Sequence, residues 1–386
     1  MLAQVLLAAE RALRGNAKVS GPEQVKQALI LEYRLPLGCC VHMTPVFEAL
    51  KLCRPDVRIT VATRGLGSQV LRHSPMIDDL IVTPDPLTDL GSTVSALRRQ
   101  LRSPGTQPNC VLTGASDQRS RIALLGMLAS SGWRGGYTQM ARLYQRPLQY
   151  DAGLSLIDNN LRVAKLVGCD RTVSRPRVFF SSDDAAVAGE LLREANPEGK
   201  PLLVMVTQNS GGQNTGWHTE RFVEVLHAAQ ARGCAVVYVG TPSDEAAIQN
   251  ILQATDGIGR SIAGKTTVTQ LAAVLATSDL TVTLDTGTMH VGRAIGIPMV
   301  VLGPSWQKPL EWLPLGVENV RILRGPDRED VPPGYRLDEI SAASVIAAMD
   351  ELLAKYPPSS TSRSERIADS LSHVDHIARA ASVTAR

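Results

Sequence analysis

The stretch Leu280-Thr-Val-Thr-Leu-Asp285-Thr-Gly-Thr-Met-His290-Val-Gly-Arg-Ala-Ile295-Gly-Ile-Pro-Met-Val300-Val-Leu-Gly-Pro304 decides the fold. Leu280–Leu284 is a short run rich in β-branched residues, which reads as a buried strand. Asp285-Thr286-Gly287 reads as a tight turn, Gly287–Ile295 as a helix, and Pro298–Leu302 as a second buried strand. Strand, helix and strand in this order make a βαβ unit, whose helix N-terminus turns free backbone N–H groups and a positive dipole end toward an anion such as phosphate. Asp285 is equally readable as a helix cap, and His290, one turn in, as an ordinary core histidine.

Outward from this unit the same rhythm recurs in two series. The first has strands near Ala28–Tyr33, Val57–Thr63, Leu80–Thr83 and Cys110–Thr113, with helices at Thr44–Leu52, Ser92–Leu101, Arg119–Ser130 and Leu154–Val167. The second has strands near Leu202–Thr207, Ala235–Gly240, Leu280–Leu284 and Pro298–Leu302, with helices at Thr219–Arg232, Ser243–Ala254, Val268–Thr277 and Gly287–Ile295. The expectation is an α/β protein of two Rossmann-like domains facing each other across a cleft. Its parts are an amphipathic helical extension at 1–27, domains at 28–176 and 177–330, a closing helix within 331–356, and a mobile Ser/Thr/Arg-rich tail at 357–386. The start has two readings: a helix capping the first domain, or one lying on lipid with Leu2, Val5, Leu6 and Leu13 buried and Arg11, Arg14 and Lys18 near headgroups.

Four loops hold the candidate chemistry. Thr207-Gln-Asn-Ser210-Gly211-Gly212-Gln-Asn-Thr215 follows a strand with glycines and hydroxyls that suit a diphosphate, or is a plain βα loop. Gly259-Arg-Ser-Ile-Ala-Gly264-Lys265-Thr266 spells a phosphate-binding P-loop, but its strand lies inside the motif instead of before it, so an ATPase reading is set aside. Gly65-Leu-Gly67 lacks the third glycine of a dinucleotide fingerprint, Val70 standing in its place, which disfavours a nicotinamide dehydrogenase. The first turn, Arg34-Leu-Pro-Leu-Gly38-Cys39-Cys40-Val-His42, brings titratable groups to a strand end, where Cys39 and His42 are catalytic candidates and small buried thiols the plainer reading. Arg34, Arg64, Arg119, Arg121 and Arg134 sit near first-domain strand ends and suggest an electropositive wall for an acidic acceptor.

Composition narrows the classes. A net charge of +3 over 386 residues is too small to indicate nucleic-acid binding. No apolar run approaches the roughly 18 residues of a membrane span, and the N-terminal charges follow the apolar run, the reverse of a secretory signal. The six cysteines show no Cys-x-x-Cys pair, so neither a zinc site nor a disulfide framework is expected, and a reducing cytoplasm fits.

Taken in order, Gly38–Pro45, Arg54–Val61, Ser74–Val82, Gly135–Tyr137, Trp217–Val223, Ile262–Thr266 and Asp285–His290 resemble the motif series of glycosyltransferase family 9, the bacterial heptosyltransferases of GT-B fold. The resemblance implies inverting, metal-independent transfer of heptose from ADP-heptose, or of another sugar from its nucleotide, to a lipopolysaccharide-core or other cell-surface glycan at the cytoplasmic face of the inner membrane. It implies no cofactor and, as partners, a nucleotide-sugar donor and a glycan or lipid-linked acceptor. By position, Asp285, Thr286, Gly287 and His290 would face sugar and diphosphate; Thr207, Ser210, Gly211, Gly212 and Thr215 the phosphates; Glu245, Ala263, Gly264 and Lys265 the nucleoside. Gly38, Arg34, Arg64 and Arg119 would meet the acceptor. Cys39 stands where the family places an aspartate base, and Thr215 where it places a lysine; the base would then be Cys39 or, in its stead, His42. The alternative is a catalytically silent relative that binds a nucleotide-sugar or a partner enzyme.

Overall fold

The structure is a computed structural model describing residues 2–14, 19–34, 36–102, 105–208 and 216–379. The chain forms two compact units, Met1–Pro176 with Val374–Arg386, and Arg177–His373.

The first unit holds β1 (Gln27–Glu32), β2 (Arg58–Thr63), β3 (Asp79–Val82), β4 (Cys110–Thr113), β5 (Trp133–Tyr137) and β6 (Arg146–Leu148), with helices α1 (Leu2–Arg14), α2 (Leu37–Cys53), α3 (Leu66–Leu71), α4 (Leu90–Gln100), α5 (Ser120–Ala129) and α6 (Leu156–Lys165). All its strand pairs are parallel, in the order β3-β2-β1-β4-β5-β6. The order reverses between β1 and β4, so the loops leaving those two strands run to opposite sides and leave a crevice at their carboxyl ends.

The second unit repeats the plan with β7 (Leu202–Met205), β8 (Ala235–Tyr238), β9 (Arg260–Ser261), β10 (Leu280–Leu284), β11 (Met299–Leu302) and β12 (Val320–Leu323). Its helices are α7 (Ser182–Ala195), α8 (Thr219–Ala231), α9 (Glu245–Ala254), α10 (Val268–Thr277), α11 (Gly287–Ile295), α12 (Pro309–Trp312), α13 (Ala342–Lys355) and α14 (Ser360–Ser370). The order β12-β11-β10-β7-β8-β9 reverses between β7 and β10. Val282, Leu284, Val300 and Leu302 are buried against Trp217, Phe222 and Met349 of the flanking helices, which is why these strands read as unbroken apolar runs. The Trp217 indole N–H donates to the Ile340 carbonyl at 2.9 Å, fixing the start of α13. The α/β, GT-B-like class expected from the sequence is the class observed.

Several expectations are corrected. Cys53 and Cys169 form a disulfide with Cα atoms 5.5 Å apart, although 116 positions separate them. The end of α2 meets the chain just past α6 at a corner where Arg54 also donates to the carbonyls of Pro22 and Val167 at 2.7 and 2.9 Å. Spacing along the sequence does not reveal that meeting. Within the tail, the described residues include α14, where Arg363 donates to the buried Asp279 carboxylate at 2.8 and 2.5 Å. Beyond it, Asp375 pairs with Arg72 at 2.7 Å and the His376 ring N–H donates to the Ser74 carbonyl at 2.8 Å. Charge–dipole and ion-pair contacts hold this segment where apolar content is low.

Arg134 is a further correction. It lies near the amino end of β5, fully buried, so it belongs to no acceptor wall. Its guanidinium meets the Glu10 carboxylate of α1 in a two-pronged pair at 2.7 and 2.8 Å, and Leu6 and Leu7 pack beside Met127, Leu143 and Tyr144. Leu6 and Leu7 of α1 are thus packed on the first unit, while Val5 stays 60% exposed; of the other residues assigned to lipid, the side chains of Leu2, Leu13 and Arg14, and Lys18 as a whole, lie outside the described residues. Removing one partner of a buried pair leaves an uncompensated charge, so Glu10→Ala should lower unfolding stability by up to about 3–5 kcal/mol, whereas Glu10→Leu with Arg134→Met should stay near wild type. Urea unfolding midpoints check both.

Candidate active site

In the second unit the sequence-assigned donor residues gather at the carboxyl ends of the strands. Thr207 follows β7, Ala263–Lys265 follow β9, and Asp285–Gly287 follow β10. Thr207 is buried and its hydroxyl has no hydrogen-bond partner among the described residues. Ser210, Gly211, Gly212 and Thr215 lie outside the described residues. The α11 N-terminus opens on half-exposed Thr286 and Gly287, with no side chain capping its first N–H groups, so these remain available to an anion.

Asp285 is nearly buried, and burial pushes its carboxyl up to about 6. His290 sits a turn further on; burial, then the Arg293 charge, takes its imidazole down to about 3, so it stays neutral. Its ring lies edge-on to Trp312 with centroids 6.2 Å apart, a neighbour that sequence reasoning missed.

On the far side of the same sheet, Glu245 opens α9 and accepts from the Ser261 hydroxyl at 2.5 Å and from Gln249 at 2.7 Å. The Ser261 bond lowers its pKa. Gly264 has φ +71° and donates its N–H to the Gly240 carbonyl at 2.9 Å; a Cβ there would stand 2.8 Å from Pro242 Cγ. The Gly-Lys dipeptide is therefore a tight turn after β9, not a P-loop, and it leaves Lys265 exposed beside Glu245.

In the first unit Arg34, Arg64 and Arg119 lie just past β1, β2 and β4, again at carboxyl ends. Only Arg34 is well exposed; Arg64 pairs with Asp85 at 2.8 Å, and Arg119 grips Asp117 through two bonds of 2.6 Å. Arg121 donates to the Leu87 carbonyl. The expected electropositive wall is thus largely neutralised by its own carboxylates. Gly38, Cys39, Cys40 and His42 are buried in the first two turns of α2, not in a loop. The helix begins sooner than the sequence suggests and carries Pro45 in its interior; the Val41 carbonyl that an N–H at 45 would have met accepts from the Thr44 hydroxyl at 2.8 Å. Burial, then the charge of Glu32, pushes the Cys39 thiol up to about 12, the Arg34 charge pulling weakly the other way. Such a thiol is a poor proton acceptor at neutral pH.

Sequence reasoning missed Glu32, Gly114, Asp117 and Asn160, which share this strand-end crevice. Asn160 ties α2 to the loop after β4, donating to the His42 carbonyl at 3.1 Å and accepting from the Ala115 N–H at 2.8 Å. Glu32 and Asp117 each close an apolar strand or loop and look like boundary polar residues; nothing local signals their burial. A cavity of about 350 Å³ beside Arg98, Arg102 and Ser130 lies near the amino ends of β4 and β5, away from this crevice. No group of three His, Cys, Asp or Glu side chains among the described residues is placed to hold a metal ion.

Paired six-stranded parallel sheets, each with its polar groups at a strand-order reversal, define a GT-B-like transferase scaffold. The model of glycosyltransferase family 9 (heptosyltransferase) matches residues 116–330, more than half of the chain. The chain belongs to that family and is a glycosyltransferase. It is 25% identical over 348 residues to lipopolysaccharide heptosyltransferase 3 of Escherichia coli, covering 84% of this chain and 97% of that one. It is 27% identical over 347 residues to lipopolysaccharide heptosyltransferase 2 of Salmonella typhimurium, covering 83% and 96%. Among solved structures, the family 9 glycosyl transferase of Veillonella parvula superposes with a TM-score of 0.76 at 20% identity, over 88% of this chain and 100% of that one. The E. coli ADP-heptose lipopolysaccharide heptosyltransferase II does so at 0.71 and 19%, over 85% and 99%. These structural likenesses carry the fold.

Because Asp285 holds its proton more tightly folded than unfolded, its contribution to stability is fully present below its ordinary value of 3.8 and is lost as pH rises through about 6. Asp285→Asn should therefore stabilise the protein by up to about 3 kcal/mol near pH 7.5 and by almost nothing near pH 4. Thermal midpoints of both proteins across that range check it.

Proposed function

We propose that this chain transfers heptose from ADP-heptose to a lipopolysaccharide-core acceptor, with inversion at the anomeric carbon and without a metal ion. The observation that carries the reading is the uncapped α11 N-terminus at the β7/β10 reversal, within a chain of the heptosyltransferase family. As the acceptor oxygen bonds to the anomeric carbon, the bond to the diphosphate breaks and negative charge grows on the leaving ADP. Backbone N–H groups at Thr286–Gly287, the Thr207 hydroxyl and Lys265 are the fixed donors and charge that would meet it. Glu245 and the Ala263–Gly264 turn would receive the nucleoside.

Location at the cytoplasmic face of an inner membrane follows from a lipid-linked acceptor. Among the described residues no helix is long and apolar enough to cross a membrane. A peripheral contact is supported by the end of α4, where Arg98 and Arg99 are exposed on a helix with no acidic residue, a cationic feature suited to anionic headgroups. Co-sedimentation with phosphatidylglycerol vesicles should fall several-fold in Arg98→Glu/Arg99→Glu and at high salt.

A second reading, a silent relative that binds the nucleotide-sugar or a partner enzyme, is favoured by one observation, the protonated Cys39 at the base position. Incubation of the chain with ADP-heptose and lipopolysaccharide-core oligosaccharide separates the two. Transfer is expected, and so is a rise in thermal midpoint with ADP, because a ligand that binds only the folded form stabilises it. A midpoint rise without turnover selects the silent relative, and no rise with any nucleotide or its sugar conjugate removes both.

A further inference from the structure

We propose that Glu32 is the proton acceptor of the transfer step, a carboxylate supplied from the end of β1 in place of the one that position 39 lacks. The inference rests on the transferase reading above. Leu31 of β1 pairs with Thr113 of β4, so the next residues, Glu32 and Gly114, stand together where the strand order reverses. Glu32 is 1% exposed. One carboxylate oxygen takes only a long 3.4 Å bond from the Arg34 N–H, and the other, Oε2, has no hydrogen-bond partner among the described residues.

Gly114 faces that free oxygen: a Cβ at 114 would lie 3.5 Å from Glu32 Oε2, 3.1 Å from Asn160 Oδ1 and 3.0 Å from Met43 Sδ. The contacts to Met43 and Asn160 are tight, so a side chain at 114 would crowd the residues that pack beside the Glu32 carboxyl, while the approach to Oε2 itself is an ordinary contact.

A carboxyl retained only for structure would be satisfied. One left with an unmade bond costs about 1–3 kcal/mol, and a buried strand that is otherwise apolar has no packing need for it. The charge environment suits proton transfer. Burial, then the Asp117 charge, raises the Glu32 carboxyl to about 8, with the Arg34 N–H and the Arg119 and Arg34 charges pulling down. A base titrating near the working pH combines a usable ionised fraction with strong proton affinity. In the step, the acceptor O–H proton passes to Glu32 Oε2 as the oxygen bonds to the anomeric carbon and ADP departs with the electron pair of the broken bond.

The test uses the whole chain, ADP-heptose and lipopolysaccharide-core oligosaccharide, with Glu32→Gln, Cys39→Asp and the double variant. Glu32→Gln should lower kcat by about 10²–10⁴-fold with the donor KM unchanged, and abolish the rise of wild-type kcat/KM toward pH 8. Adding Cys39→Asp should restore activity to Glu32→Gln and move the rising limb to acid pH. The ADP-induced shift in thermal midpoint, which a misfolded variant loses, should persist in all three. A Glu32→Gln kcat within threefold of wild type, or a surviving limb near pH 8, overturns the assignment alone. Absence of transfer by the wild-type chain overturns the transferase reading and this assignment with it.

Discussion

Parallel strands covered by helices on both faces exclude polar chemistry from everywhere except their ends, and this constraint arranges the whole molecule. The central strands of each unit's sheet are largely apolar, and each sheet carries a concentrated set of polar groups where the strand order turns back. Thr207 and Asp285–Gly287 mark that point in one unit, Glu32 and Gly114–Asp117 in the other. The two sets differ in character. The second unit offers backbone N–H groups, hydroxyls and a lysine, which suit an anion; the first offers carboxylates in tension with arginines, which suit a hydroxyl that must lose a proton.

Burial explains the electrostatics more than pairing does. Cys39, Asp285, Glu32 and His290 are all moved toward their neutral forms by desolvation as the first cause. Asp117–Arg119 and Arg64–Asp85 are instead satisfied by pairing, at 2.6 and 2.8 Å. In the second unit the uncapped α11 N-terminus and the exposed Lys265 are left among the positive features at the strand ends.

Much of this was legible in the sequence. The run from Leu280 to Pro304 announced strand, turn, helix and strand, and the observed β10, α11 and β11 fall within it. What escaped has physical reasons. β5, Trp133-Arg-Gly-Gly-Tyr137, places two glycines and an arginine in a strand, a composition that reads as a turn; its arginine is accommodated by the Leu143 carbonyl and by Glu10, more than a hundred residues away, which supplies the counter-charge. α14 has few apolar residues and reads as tail, yet Asp279 gives Arg363 a buried partner. Glu32 ends an apolar strand and reads as the strand's polar border. In each case the deciding contact lies far away in sequence, where local pattern has no reach.

With Glu32 assigned as proton acceptor, the thiol at position 39 has a physical rationale. A thiol in the first turn of α2 is small and stays neutral when buried, so it packs there without demanding a partner. A carboxylate at that same place would sit beside Glu32 and Asp117, and like charges in a low-dielectric crevice cannot all ionise. One carboxyl at the β1 end, facing a glycine and flanked by arginines, can accept a proton without that conflict. A neutral thiol at 39 adds no charge beside Glu32, whose carboxyl is raised by burial and then by Asp117.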